Sequence, residues 1–208
     1  MYLSQGCKPR QSVFDRSRQD VVLNISDLLE DRIDSDRFFK ENYITAGMQT
    51  LIDKAFGRLE NSNSQASTFL LAQAMGGGKT HSMIALGLLA KHPELRNKVL
   101  EQDFQVGEVK VIGFNGREAD AKFGLWGELA EQLNKKEVFK DHYAPLKAPG
   151  VTAWIELLQG EPTLIFLDEL PPYLENARTI EIGSSDLSIV VGVRLYGSRL
   201  RKIQSWKV

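Results

Sequence analysis

The run Gln73-Ala74-Met75-Gly76-Gly77-Gly78-Lys79-Thr80 sets three consecutive glycines ahead of a lysine and a hydroxyl. Glycines let successive backbone N–H groups turn toward one point at little steric cost, and such a concavity at the start of a helix holds an anion. A lysine placed next can reach the outer phosphates of a polyphosphate. A threonine hydroxyl after it can take a position around Mg²⁺. In this reading Ala74, Met75, Gly76, Gly77, Gly78, Lys79, Thr80 and His81 surround the phosphates, and Lys79 also counts among the catalytic groups. The usual spacing, G-x-x-x-x-G-K-[ST], has a glycine at position 73, where this chain has Gln; Gly76 and Gly77 are expected to ease the turn in its place. The plain alternative is a glycine-rich turn that only joins a strand to a helix.

A second string, Leu164-Ile165-Phe166-Leu167-Asp168-Glu169, ends an apolar run on two acids. Acids at the carboxyl end of a parallel strand stand where open α/β sheets bind ligands. Asp168 is the expected partner of Thr80 in holding Mg²⁺, and Glu169 is placed to take a proton from an attacking water. Each string predicts that the other's strand is its neighbour in the sheet.

Other residues carry weaker signals. Asn115 and Arg117 follow a strand and either face the same site or belong to a polar loop. His81 occupies the first helical turn, where the helix dipole disfavours a positive charge. His81, His92 and His142 have no recognisable metal-ligand spacing. Trp126 and Trp154 read as core residues on helix faces. Phe39 and Tyr43 either pack in the core or contact a base from the linker side. Nothing near Cys7 suggests an activated thiol.

These groups need a frame. Thr68–Ala72 is a short apolar run before the glycines, expected as a buried strand, and the stretch after Thr80 is apolar on nearly every side up to Pro93, expected as a buried helix. Met48, Leu51, Ile52, Ala55, Phe56 and Leu59 fall on one face of an amphipathic helix. Val109–Phe114 and Thr163–Leu167 read as strands; Phe123 to Leu133 and Val151–Leu158 read as helices. One short helix is expected in the lead-in, whose one apolar stretch is Val21–Leu29. Strands that are apolar throughout and alternate with helices point to an α/β chain with a parallel sheet covered on both faces. The expected layout is a polar lead-in over 1–40, a core over 41–193 and a basic tail over 194–208.

The 208 residues are 42% hydrophobic and 25% charged, which suits one globular domain with an extension and excludes a disordered or collagen-like chain. A single cysteine excludes an internal disulfide framework, and no apolar run is long enough to span a membrane. With no apolar leader at the N-terminus, a cytoplasmic location is expected. The net charge of −1 argues against holding nucleic acid by bulk charge. The tail is different: Arg194, Arg199, Arg201, Lys202 and Lys207 face no acid after residue 193, which reads as a solvated end or as a contact with nucleic acid.

The glycine loop with Lys79-Thr80, paired with Leu167-Asp168-Glu169, resembles the catalytic-glutamate division of P-loop ATPases that includes the AAA-type proteins. Three stretches, FFKENYITAGMQTLIDKAFGRL, FLLAQAMGGGKTHSMIALGLLAKHP and TLIFLDELPPYLENA, together about 60 residues, resemble the large ATPases of bacterial phage-defence islands, including the BREX and phage-growth-limitation systems. The resemblance implies a P-loop three-layer sandwich, an ATP and Mg²⁺ site, and a place in an anti-phage or restriction-like complex. Its protein partners, an indirect contact with DNA and a homo-oligomer are implied in the same way. Only 39 residues follow Glu169, so the sandwich is expected to be incomplete at its C-terminus, with Ser188–Tyr196 as one further strand. A polar sensor and an arginine finger have no evident candidates there. An ATPase and a nucleotide-binding module without turnover therefore remain as alternatives, while a kinase is disfavoured by the paired acids.

Overall fold

A two-stranded parallel sheet with helices against both faces organises the chain, whose described residues in this computed structural model are 14, 22–60, 67–72, 76–118, 124–143 and 147–187. The polar opening leads into two short helices, α1 (Ile25–Leu29) and α2 (Ser35–Glu41). Each starts on a side chain that satisfies free backbone donors. Asn24 and Asp27 form a reciprocal capping box at α1, and Asp34 accepts from the Arg37 N–H at α2. The amphipathic run becomes α3 (Ala46–Glu60), burying Met48, Leu51, Ile52, Ala55 and Phe56.

Beyond the glycines, α4 (Lys79–Lys91) is buried from Met83 to Ala90. Gly87 lets α4 lie close to its neighbours, because a Cβ there would collide with Leu28 and press on the Phe166 ring. The expected stop at Pro93 is a break between helices: His92 ends α4, and Pro93 opens α5 (Pro93–Val99) at a position that tolerates its missing N–H. The returning segment leads to β1 (Lys110–Asn115), followed by α6 (Gly124–Gln132), a 3₁₀ turn (Lys136–Phe139), α7 (Lys140–Tyr143) and α8 (Val151–Leu158). Strand β2 (Thr163–Asp168) runs into α9 (Leu170–Ala177) and a small hairpin of β3 (Glu181–Ile182) and β4 (Ser185–Asp186).

Strands β1 and β2 pair in parallel with Asn115 opposite Asp168. Alternation then sends their side chains to two cores. Val111, Leu164 and Phe166 face the cluster built with α1 to α5, which includes Ile25, Leu28 and Phe38 from the lead-in. Ile112, Phe114 and Leu167 face the cluster built with α6, α8 and α9.

The expected α/β class and parallel pairing are present. The expected strand at Thr68–Ala72 is not. Those residues form no ladder; Phe69 and Leu71 pack against the first cluster while Leu70 is 61% exposed. Their apolar run is buried on one side only, and β2 pairs with β1. The lead-in also has two helices where one was expected, because the charge-mixed residues of α2 hide its single buried side chain, Phe38. Ser188–Tyr196, Phe123, Cys7 and the basic tail lie outside the described residues.

Candidate functional site

Where the glycine run meets α4, Gly76 and Gly78 both have φ of 76°, the left-handed region that glycine adopts without strain. Gly78 caps α4 without a side chain, so the backbone N–H groups of the first turn are not covered by a capping group. Lys79 and Thr80 follow directly as the first residues of α4 and are half-buried. Ala74 and Met75 lie outside the described residues, as does Gln73.

The two sequence strings meet at their polar ends. Thr80 Oγ1 donates to Asp168 Oδ2 at 2.7 Å, joining the start of α4 to the end of β2. Asp168 Oδ1 accepts from the backbone N–H of Glu169 at 3.0 Å, and the Asp168 carbonyl accepts from Gly116 at 2.9 Å. Glu169 leaves the strand with φ of 48°, rare for a residue with a Cβ, and begins α9, whose first two positions are Pro171-preceding Leu170 and Pro171 itself. Gly116 is the counterpart of that bend: a Cβ on it would collide with the Glu169 carbonyl and lie 3.0 Å from Tyr173 Cβ.

These groups line one end of a cleft of about 840 Å³. Gly76, Gly77, Gly78, Lys79, Thr80, His81, Asp168 and Glu169 all reach it, so every described residue of the expected site is brought to one place. The lead-in lines the same cleft, with Arg32, Arg37 and Phe38 among its residues. Arg32, Arg37 and Phe38 were not expected at the site, where only Phe39 and Tyr43 of this region were offered, and the sequence signal near them is helix-start spacing, Asn24 with Asp27 and Asp34 before α2. Arg32 pairs with Asp27 and Glu30, and Arg37 with Glu41.

His81 sits in the first turn of α4 as expected, its ring against Phe38 with centroids 4.8 Å apart and planes at 30°. Burial pushes its imidazole below the usual histidine value, favouring the neutral ring. Asn115 and Arg117 also come to the site. The Asn115 side chain accepts from the Arg117 N–H at 3.2 Å, and Arg117 Nη2 donates to Glu169 Oε2 at 3.3 Å. Phe39 and Tyr43 are not among the cleft's lining residues; Phe39 packs edge-on against Phe38, and Tyr43 is 85% exposed. Trp126 and Trp154 are packed in the second cluster, Trp126 donating to the His142 carbonyl.

The fold and site define a mixed α/β chain whose strand-end carboxylates face a glycine loop at a helix start. A family model, the DUF499 N-terminal domain, matches residues 6–113, just over half of the sequence, and the chain belongs to that family. The match covers the glycine loop and most of β1 and stops before Asp168 and Glu169. No curated protein and no solved structure matches the chain. No helix among the described residues is long and apolar enough to cross a membrane.

Proposed function

We propose that the chain is an ATP-binding P-loop ATPase. The observation that carries this reading is the 2.7 Å hydrogen bond from Thr80 to Asp168, which joins two strings 88 residues apart inside a cleft of nucleotide size. In the proposed cycle the backbone of Gly76–Gly78 and the Lys79 ammonium hold the phosphates. Glu169 takes a proton from a water whose oxygen attacks the terminal phosphorus, and the bond from that phosphorus to the bridging oxygen breaks to leave ADP and phosphate. Thr80 and Asp168 offer a hydroxyl and a carboxylate, the hard oxygen donors that suit Mg²⁺ shared with phosphates. When bound, the ion neutralises charge on the phosphate oxygens.

Calorimetry with ATP and Mg²⁺, together with a phosphate-release assay, tests this. The parent should bind and turn over. Lys79→Ala should lose affinity by about tenfold or more, and Glu169→Gln should bind as the parent does while losing about 10²-fold or more in turnover. No heat from nucleotide with metal would sink the reading.

A second reading, a nucleotide-binding module without turnover, is favoured by one observation: the Glu169 carboxylate is already engaged by Arg117. Equal phosphate release from the parent and Glu169→Gln, with equal binding, would select it. The role we propose for either form is in an anti-phage or restriction-like complex with protein partners, DNA being reached through them, and this follows from the resemblance of the three stretches. For the ATPase it predicts that Glu169→Gln abolishes protection in a phage-plating assay of cells carrying the whole system, and for the module without turnover that Lys79→Ala does so while Glu169→Gln does not.

A further inference from the structure

Transfer of a terminal phosphoryl group builds negative charge on its oxygens and on the bridging oxygen, and an arginine that meets them raises turnover by about 10³- to 10⁵-fold. Among the described residues, the lysine and arginines that line the cleft are Lys79, Arg32 and Arg37. Lys79 belongs to the glycine loop, and the two arginines come from the lead-in.

Arg32 stands on a locked corner. Ile25 and Leu28 of α1 are 0% and 1% exposed, and Lys91 at the end of α4 donates to the Leu28 carbonyl at 3.1 Å and pairs with Asp31. Asp31 turns the chain with φ of 55°, and the Arg32 N–H closes the corner on the Asp27 carbonyl at 2.9 Å. The side chain is held as well. Arg32 Nε donates to Asp27 Oδ1 at 2.9 Å, Nη2 lies 2.9 Å from the same oxygen, and Nη1 meets Glu30. Each Nη carries a second N–H, so the guanidinium keeps its acids and still has donors for a phosphate oxygen.

The same contacts place it toward the strand ends. Asp27 Oδ2 accepts from the Asn24 N–H at 2.9 Å, and Asn24 Nδ2 donates to Glu118 Oε1 at 3.0 Å. Glu118 closes the turn in which Gly116 donates to the Asp168 carbonyl. Asp27, with Glu30 and Glu118 behind it, raises the Arg32 pKa above the usual arginine value. Arg37 stands elsewhere: it pairs with Glu41 within α2, next to Phe38, whose ring lies on His81 in the first turn of α4.

We propose that Arg32 donates, in cis, to the phosphoryl group as it passes from ATP to water. The inference rests on the ATPase reading above, and it makes each chain carry its own cation. A donor already fixed in place needs no rearrangement at the moment of reaction, so its effect falls on kcat.

The test uses the full chain with Arg32→Ala, Arg32→Lys and Glu169→Gln. Arg32→Ala should bind ATP with Mg²⁺ within about threefold of the parent and lose about 10²-fold or more in kcat. Arg32→Lys keeps a charge beside Asp27 but not the fork, and should lose about tenfold. Should Arg32→Ala fail to fold, Arg32→Lys carries the same comparison. ADP with aluminium fluoride mimics the group in transfer and gives a readout that does not need turnover. Its binding should weaken in the variant while ADP alone binds as to the parent. An equal loss for both ligands would mean a structural arginine and overturn the assignment.

Mixing Arg32→Ala with Glu169→Gln should release no more phosphate than the two chains release apart, because neither holds both groups. Recovered turnover in the mixture places the arginine on a neighbouring copy and overturns the proposal, as does a kcat of Arg32→Ala within about twofold of the parent. A parent that binds no ATP, or releases phosphate no faster than Glu169→Gln, removes the ATPase reading instead, so the two failures are told apart.

Discussion

The Thr80 hydroxyl ties the start of α4 to the end of β2. Its bond to Asp168 is charge-assisted and half-buried, which makes it stronger than a neutral pair at the surface. Thr80→Val keeps the shape and removes the donor, so unfolding in urea should show a loss of about 1 kcal/mol. Thr80→Ser should recover most of it. If the two variants are equally stable, the hydroxyl is not what ties α4 to β2. His81 gives a prediction in pH. Its imidazole titrates below the usual value in the folded chain because burial disfavours the charged ring. The unfolded chain therefore binds the proton more readily, and stability is complete above about pH 6.5, falls as pH drops through that value, and levels off below the lower folded value. His81→Phe keeps a ring against Phe38 and should flatten this part of the Tm profile. An unchanged slope would assign the acid sensitivity to other groups.

Among the elements, the ends of β1 and β2 are locked by sterics as well as by hydrogen bonds. Gly116 is needed for close approach, since the Glu169 carbonyl occupies the space a Cβ would take. Gly116→Ala should cost about 2–3 kcal/mol in urea unfolding, because the obstacle is backbone and cannot swing aside. A loss below about 0.5 kcal/mol would mean that the strand ends part easily. Much of this region was legible in the sequence. The glycine loop, its lysine and threonine, and the acids at the end of β2 each stand at the edge of a continuous apolar run, which a sequence displays plainly. What it did not display was contact at a distance where no motif names the partner. Glu118 carries no signal of its own, and only the fold puts its carboxylate against Asn24 and Ser26. Helix α2 carries one buried side chain in seven residues, too few for a period to emerge. Thr68–Ala72 misled for the opposite reason, since an apolar run records burial and does not say whether the backbone is paired.

Across the whole molecule, two cores lie on either side of a parallel sheet two strands wide. Phe166 belongs to the first and Leu167, the next residue, packs against the second. Strain in one core can therefore reach the other through consecutive residues of either strand, Val111 and Ile112 of β1 or Phe166 and Leu167 of β2. The buried Arg96, 1% exposed, strengthens the first core in an unusual way: its guanidinium lies over the Phe56 ring at 4.7 Å and donates to the Val106 carbonyl, fastening the segment that leads into β1. Burial of that charge is costly unless its partners stay in place, and those come from α3, α4 and the segment before β1, which favours unfolding of the first cluster as a unit. Leu89→Ala, at a fully buried position on α4, opens a cavity in that cluster and should cost about 2–5 kcal/mol. Trp126 and Trp154 report on the second cluster once Trp206, outside the described residues, is replaced by Phe. If the sheet couples the cores, the tryptophan fluorescence and the far-ultraviolet circular dichroism of Leu89→Ala should shift to the same lower urea midpoint. Should the fluorescence midpoint stay at the parent's value while the dichroism moves, the two cores unfold independently, and a sheet of this width does not transmit a loss of packing from the α4 side to the α6 side.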